Sequence, residues 1–133
     1  PGDDASKFTT HVIRCCMRHV PSIPLTAGEQ RRDLIYIEDV VRAYRTLVNE
    51  SDSLPRSTDI PVGSGSAPTI REFVETVHRL TGSTTELRFG ALPYRNNEAM
   101  HCQADIRQMI QLGWQPNFDL EAGLKKTIEL EVP

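Results

Sequence analysis

The sequence has no long hydrophobic run and no large excess of one charge. Its 133 residues include 15 Lys and Arg against 18 Asp and Glu, for a formal net charge of −3, and both signs are mixed along the chain. Proteins that bind nucleic acid or a membrane surface usually carry a basic patch or a charge block. No apolar stretch approaches the roughly 20 residues that span a bilayer, and no signal sequence is recognisable. These absences argue against nucleic-acid and membrane partners and predict a cytoplasmic protein.

Cysteine is also scarce, with three residues at positions 15, 16 and 102. Adjacent cysteines rarely bridge and no spacing matches a zinc knuckle, so reduced thiols are predicted. His11, Cys15 and His19 recur every four residues along one predicted helix. Such side chains are possible metal ligands, but they spread over two turns without a fourth ligand beside them. We therefore expect no metal site.

The segment from Arg31 to Ala43 changes character along its length. It opens with charged residues, continues as a short β-type run over Leu34–Ile37, and then becomes a helix with an apolar face. The residues of this face, at helical spacing, are Val40, Val41, Tyr44, Leu47 and Val48. Glu38 and Asp39 fall in the first turn, where the helix dipole favours carboxylates. A strand followed directly by a helix is therefore predicted.

Two adjacent arginines beside an extended backbone form a candidate anion clamp. Guanidinium groups bind phosphate oxygens through paired hydrogen bonds, so Arg31 and Arg32 fit a phosphate or diphosphate. The alternative is that Arg32 and Asp33 only brace the end of the strand, because charged side chains usually lie in solvent. The residues alone leave both interpretations open.

Periodicity and capping signals predict the remaining elements. Helices are expected over residues 7–20, 69–82, 105–113 and from 119 onward. Short extended runs are expected at 23–26, 60–63, 86–89 and 100–103. Thr69 and Glu72 form a capping-box pattern, and Pro21 is expected to end the first helix. Pro21 and Pro24 are expected to hold residues 23–26 extended, suited to an edge position and away from regular pairing, and Trp114 is assigned to the core.

The charged segment contains the pattern Arg32-Asp33 followed by Asp39 and Ala43. Five further motifs accompany it in order, namely Pro1-Gly2-Asp3, Thr26–Gln30, Val62–Gly65, Pro93–Glu98 and Asp105–Trp114. Together they resemble the extended short-chain dehydrogenase/reductases that act on nucleotide sugars, the NAD-dependent epimerase/dehydratase family. Within that family the combination is most similar to the CDP-4-keto-3,6-dideoxyhexose reductases of O-antigen sugar synthesis.

The resemblance implies an α/β fold and a specific role. Residues 1–133 would form a small C-terminal substrate-binding domain, with short strands packed by about five helices and the Rossmann half absent. The chain begins in the middle of a recognisable turn and is expected to be a fragment of a larger enzyme. Seven residues are expected to contact the substrate, a CDP- or other NDP-hexose: Phe8, Leu25, Thr26, Arg32, Leu34, Arg95 and Glu98. Arg32 and Arg95 are expected to converge on one anion site, with Glu98 accepting from a ribose hydroxyl.

The catalytic machinery of that family is missing from the sequence. Its members need a glycine-rich turn for the pyrophosphate of NAD(P) and a Tyr-x-x-x-Lys pair. After Gly63 and Gly65 the third glycine position is Pro68, and no tyrosine is followed at the fourth position by lysine. The resemblance therefore implies that NAD(P) binds outside this chain, in the N-terminal Rossmann half, and that the chain alone is inactive.

Two other classes of function remain open. One is a free-standing module that binds a nucleotide or nucleotide sugar without any reaction. The other is a structural or interaction domain whose arginines form only salt bridges. Self-association is also expected, because a substrate-binding half without its neighbour exposes an apolar face. The helix over residues 7–20 is the favoured pairing surface.

Overall fold

The computed structural model describes Asp4 and residues 6–131, in which five α-helices and four short strands form. The helices are α1 Phe8–Met17, α2 Ile37–Asn49, α3 Ile70–Leu80, α4 Arg107–Gln111 and α5 Leu120–Glu131. The strands are β1 Ser22–Leu25, β2 Arg31–Arg32, β3 Glu86–Phe89 and β4 His101–Cys102. This arrangement confirms the α/β class and the expected number of helices. The predicted turn motif Pro1-Gly2-Asp3 lies outside the described residues.

The chain forms two compact units and passes between them repeatedly. The first unit comprises the chain up to Gln30, Thr69–Met100 and the chain from Leu124, and the second comprises Arg31–Pro68 and His101–Gly123. Each unit contains one pair of parallel strands, β1 with β3 in the first and β2 with β4 in the second. No helix among residues 6–131 is long and apolar enough to cross a membrane.

In the first unit, β1 pairs with β3 over all four residues, from Ser22 opposite Glu86 to Leu25 opposite Phe89. The expectation that Pro24 would keep this segment out of regular pairing is wrong. Proline lacks only a backbone donor, and an edge strand of a two-stranded sheet accommodates that loss. Ile23 and Leu25 point inward and are buried.

Helix α1 is shorter than predicted. It ends at Met17, and His19 adopts a left-handed conformation with φ of 50°, so the helix ends before Pro21 is reached. Val12 and Cys16 are fully buried, and α1 packs against α3. The apolar face of α1 is therefore occupied within its own unit, which makes it a poor surface for self-association.

In the second unit, the strand predicted at Leu34–Ile37 is wrong. Pairing involves Arg31 and Arg32 instead, and the amide of Asp33 extends it by donating to Cys102 at 2.8 Å. The chain then leaves the ladder, and Ile37 is already the first residue of α2. The strand predicted at residues 60–63 is also absent among the described strands.

Helix α2 buries a different face from the one its apolar pattern predicts. Asp39 and Ala43 are fully buried, and Ala43 joins Met109 and Trp114 in one core cluster. The small alanine side chain allows these two larger side chains to pack close to the helix. Four apolar residues of α2 are instead exposed: Ile37, Val41, Tyr44 and Val48.

The predicted capping signals are confirmed. Thr69 and Glu72 form a complete capping box at the start of α3, and Gly82 follows this helix with φ of 58°. The Asp119 carboxylate accepts a hydrogen bond from the Ala122 amide at 2.8 Å. Trp114 is 3% exposed, which confirms its place in the core.

Candidate functional site

Asp33 of the Arg-Asp pattern acts on the backbone around it. Its carboxylate accepts hydrogen bonds from the amides of Ser64 at 2.7 Å, Gly65 at 3.0 Å and Ala104 at 3.1 Å, and from the Ser64 hydroxyl at 2.7 Å. These bonds connect three segments of the second unit that are distant in sequence. For Asp33 the structure therefore supports the bracing interpretation, in which the carboxylate is a structural acceptor.

Asp39, the second acidic residue of the pattern, has the same role at a different place. It is fully buried and accepts from the amides of Asn117 at 3.0 Å and Phe118 at 3.0 Å. Arg42 completes the set with its Nη2 atom 2.8 Å from Asp39 Oδ1. Buried charges need such partners, because an unpaired carboxylate in the interior is costly.

The two arginines of the candidate clamp differ in how they are held. Arg31 Nη1 donates to the carbonyl of Ala67 at 3.1 Å, which commits part of its guanidinium to the backbone. Arg32 is half-buried and its Nη1 donates to the carbonyl of Arg31 at 2.9 Å. A guanidinium carries five N–H donors, so these contacts position the groups without using all of their hydrogen-bonding capacity.

In the first unit, the turn at Gly28 is fixed against α3. Gly28 has φ of 78°, and its carbonyl accepts from the Arg71 amide at 2.9 Å. Arg71 Nη2 donates to Ala27 at 3.0 Å, and the guanidinium lies 3.8 Å above the centre of the Phe89 ring. Gln30 Nε2 donates to the Thr26 hydroxyl at 3.2 Å. These contacts hold Thr26 in a defined position at the end of β1.

The loop with the second predicted arginine belongs to the same unit as β1. The Leu92 amide donates to the carbonyl of Leu25 at 3.0 Å, which fixes the start of the loop at the end of the strand. Tyr94 reinforces it, since its hydroxyl accepts from the Glu29 amide at 3.0 Å. Arg95 is exposed and begins a tight turn that closes with the Glu98 amide donating to the Arg95 carbonyl at 3.1 Å.

The predicted site residues divide between the two units. Five of them lie in the first unit: Phe8, Leu25, Thr26, Arg95 and Glu98. Arg32 and Leu34 lie in the second. Leu25 is buried, and Phe8 is 41% exposed with its ring centre 6.0 Å from that of Phe73. The convergence of Arg32 and Arg95 on one anion stays a prediction.

His11 and Cys15 of α1 lie close together, but His19, the third predicted member, is engaged elsewhere. Cys15 Sγ lies 3.6 Å from His11 Nε2, whereas His19 Nδ1 accepts from the Thr84 amide at 3.3 Å. Burial raises the pKa of the Cys15 thiol, and the nearby Arg18 opposes this shift. Among the described residues no group of three His, Cys, Asp or Glu side chains could hold a metal ion.

The Gly-x-Gly turn of the second unit does not fit the pyrophosphate of a dinucleotide. Such a turn binds phosphate through free backbone amides. Here the amides of Ser64 and Gly65 already donate to Asp33. A Cβ atom at Gly63 would lie 2.5 Å from Ala104 Cβ and 2.6 Å from Asp33 Oδ2, so the glycine is explained by the close approach of both side chains. The turn is a structural connection.

Sequence reasoning missed the structural roles of Asp39, Tyr94 and Gln30. Asp39 was interpreted as a favourable charge in a first helical turn, which is correct for its position but omits its buried partners. No local signal identifies these partners, because the amides of Asn117 and Phe118 lie far from Asp39 in sequence. Tyr94 and Gln30 carried no local signal, because their partners depend on the fold.

The family model described as the NAD dependent epimerase/dehydratase family matches residues 1–63. The resemblance stated from the motifs is confirmed as a similarity to this family over that range.

Among individual proteins, CDP-abequose synthase of Salmonella typhimurium is 33% identical over 97% of this chain and 44% of its own length. UDP-glucuronic acid decarboxylase 1 of Danio rerio is 33% identical over 77% of this chain and 23% of its own length. The fold matches a crystal structure of UDP-glucose 4-epimerase with UDP-glucose from Thermotoga maritima. That match has a TM-score of 0.79 at 24% identity and covers 97% of this chain and 41% of the epimerase chain. The chain thus spans less than half the length of these proteins.

Proposed function

We propose that this chain is the substrate-binding part of an NAD(P)-dependent nucleotide-sugar epimerase, dehydratase or 4-ketoreductase of bacterial surface-polysaccharide synthesis. The observation that carries the proposal is the 33% identity to CDP-abequose synthase over 97% of the chain. The spacing of the Arg-Asp pattern and the two arginine-bearing segments support it. The nucleotide-sugar activity is proposed for a whole enzyme of this kind, of which this chain would form one part.

The proposed role of the chain is to hold the nucleotide diphosphate. Arg32 and Arg95 would bind the diphosphate oxygens, because guanidinium groups match phosphate geometry and keep their charge at any physiological pH. Leu25 and Thr26, Phe8 and Leu34 would contact the nucleoside, and Glu98 a ribose hydroxyl. Binding energy from this remote part of the substrate would position the reacting carbon of the hexose.

The cofactor is proposed to bind elsewhere. The Gly-x-Gly turn at Gly63 and Gly65 does not offer free amides at Ser64 and Gly65 for its pyrophosphate, since both donate to Asp33. NAD(P) would supply hydride chemistry when bound by residues outside this chain. We therefore expect no turnover of any nucleotide sugar by the purified chain with added NAD(P). A rate that follows the protein through a second column would contradict this part of the proposal.

The binding proposal is tested by titrating CDP and UDP into the purified chain and into Arg32→Ala. Loss of a charge-assisted contact is expected to weaken nucleotide binding by about 1.5–3 kcal/mol. Calorimetry gives the affinity directly. Arg56→Ala is the matched control, because Arg56 is exposed in a loop of the same unit.

The outcomes separate the classes of function. Binding of CDP that Arg32→Ala weakens and Arg56→Ala leaves unchanged supports a nucleotide site at the Arg-Asp pattern. Equal affinities of all three proteins would assign Arg32 to structure. Absence of nucleotide binding by the unmodified chain would favour a structural or interaction domain.

A further inference from the structure

A cleft in the second unit has no role in the proposed function. Its volume is about 260 Å³, and it is lined by residues of α2 and of the turn that follows α4. The lining residues are Arg42, Arg45, Thr46, Asn49, Gly113 and Trp114. None of them carries a carboxylate, whereas five of the six have a side chain that can donate a hydrogen bond.

Two donors of these lining residues are buried without an acceptor. Within residues 6–131, neither Arg42 Nε nor the indole Nε1 of Trp114 has a hydrogen-bond partner. Arg42 is nevertheless fixed in place, because its Nη2 atom donates to both Asp39 and the carbonyl of Gln115. Buried polar groups in native proteins are normally hydrogen-bonded. Both unsatisfied donors thus belong to residues that line the same cleft, and an acceptor bound there would satisfy them after a small shift of the two side chains.

The charge of the cleft makes that acceptor an anion. Arg45 is exposed, and no carboxylate among the described residues forms an ion pair with it. A second cleft of this unit, next to Gly65, differs in this respect, because its Arg107 is paired with Asp105. Of these two clefts, the one beside Arg45 therefore keeps a cation without a carboxylate among its lining residues, whereas the charges lining the other are paired.

We propose that the cleft formed by Arg42, Arg45, Thr46, Asn49 and Trp114 binds a phosphate group. The residues on α2 follow at spacings of three and four, so they share one face of the helix and can act on one ligand. Phosphate offers several strong acceptor oxygens and matches guanidinium donors better than a single carbonyl does. The group can come from free phosphate or from a phosphate monoester.

Trp114 provides the readout for the test. It is the only tryptophan of the chain, so its fluorescence reports on this cleft alone. Inorganic phosphate and a hexose 1-phosphate are titrated separately into the full chain at constant ionic strength. A saturable change in emission is expected with both, and tighter binding of the hexose 1-phosphate would identify a monoester as the ligand. Equal affinity would identify the free anion.

Arg45→Gln tests the residue that supplies the unpaired charge. It is expected to raise the dissociation constant for phosphate about tenfold, the usual effect of losing one charge-assisted contact. Arg56→Gln removes the same charge from the same unit outside the cleft and is expected to stay within about twofold, because screening reduces distant effects. Far-UV circular dichroism establishes that both variants are folded.

Several results would overturn the proposal. The first is the absence of a saturable emission change when phosphate is added to the unmodified chain. The second is an equal emission change with chloride. The third is an equal effect of Arg45→Gln and Arg56→Gln on the dissociation constant for phosphate. Arg32→Ala is expected to leave the phosphate response unchanged, whereas it weakens nucleotide binding under the proposed function. A loss of the phosphate response in Arg32→Ala would place the anion at the Arg-Asp pattern and contradict the cleft.

Discussion

At the scale of single residues, the two aspartates of the Arg-Asp pattern are acceptors for backbone amides. Asp33 connects the turn at Ser64 and Gly65 to Ala104, and Asp39 holds the segment at Asn117. A carboxylate that accepts several amide hydrogen bonds fixes those segments more firmly than a neutral side chain would. The pattern is therefore at least as much a folding device as a binding motif.

Replacing Asp39 by asparagine is expected to lower the free energy of unfolding by about 2–4 kcal/mol. The amide would present an N–H₂ group to donors that now face a carboxylate, and Arg42 would lose its partner. Urea unfolding followed by circular dichroism measures the change. Asp59→Asn, at an exposed loop position, is the control and is expected to change stability by less than about 0.5 kcal/mol. Equal stability of both variants would contradict the role assigned to Asp39.

Asp105 gives a prediction for pH dependence. Hydrogen bonds from the Arg107 side chain and amide lower the pKa of this exposed carboxyl to about 2. Because the folded pKa lies below the ordinary value of 3.8, the contribution of this pair to stability is present above pH 4 and is lost as the pH falls toward about 2. In Arg107→Gln, carbon NMR is expected to show the Asp105 pKa closer to 3.8. An unchanged titration would exclude Arg107 as the cause.

At the scale of elements, glycine turns show where backbone conformation and close contact coincide. Gly28 has φ of 78°, and a Cβ atom there would lie 3.0 Å from both the Cβ and the amide nitrogen of Arg71. Gly82 has φ of 58° but no atom within 4 Å of the same position. Comparing substitutions at Gly28 and Gly82 therefore separates the effect of left-handed backbone strain from the effect of crowding by neighbouring atoms.

Gly28→Ala is expected to lower the free energy of unfolding by about 2–4 kcal/mol, because it adds overpacking to left-handed strain. Gly82→Ala carries the strain alone and is expected to cost about 1–2 kcal/mol. Urea unfolding of the two variants in parallel measures the difference. If Gly82→Ala were the more destabilising, the contact between the Gly28 turn and α3 would not limit this position.

The elements that sequence predicts well are those with local determinants. Helix α3 has its capping box at Thr69 and Glu72 and its stop at Gly82 within one stretch of chain. The strand at Leu34–Ile37 was wrong because the pairing that matters is with His101 and Cys102, far away in sequence. The buried face of α2 was missed for the same reason, since the partner amides of Asp39 lie 78 residues away.

The candidate site shows the same division. Sequence singled out the motif Pro93–Glu98, and in the structure the Glu98 amide closes a turn on the Arg95 carbonyl. It did not identify Tyr94 as the residue that fixes this loop to Glu29, because a partner 65 residues away leaves no local pattern. The assignment of substrate contacts stays a prediction from the family resemblance.

At the scale of the whole molecule, α2 presents an exposed apolar stripe. Ile37, Val41, Tyr44 and Val48 are between 53% and 70% exposed, and their spacing places them on one side of the helix. Contiguous exposed apolar residues of this kind usually find a partner. Self-association of the chain is therefore expected through α2, whereas Val12, Ile13 and Cys16 of α1 are buried.

Val41→Lys tests this interface. A charge in the middle of the stripe is expected to abolish concentration-dependent association, which sedimentation or light scattering measures. Leu130→Lys is the matched control, because Leu130 is 60% exposed and lies on α5. A monomeric unmodified chain at all concentrations would contradict self-association, and an associating Val41→Lys variant would exclude this helix face.

The alternation of the chain between its two units has a consequence for inheritance. The chain passes from one unit to the other after Gln30, Pro68, Met100 and Gly123. Neither unit is therefore encoded by one uninterrupted stretch of DNA. A recombination event that exchanged a single internal stretch would divide at least one of the two units, so the two units are expected to be transmitted between genes together, as one block.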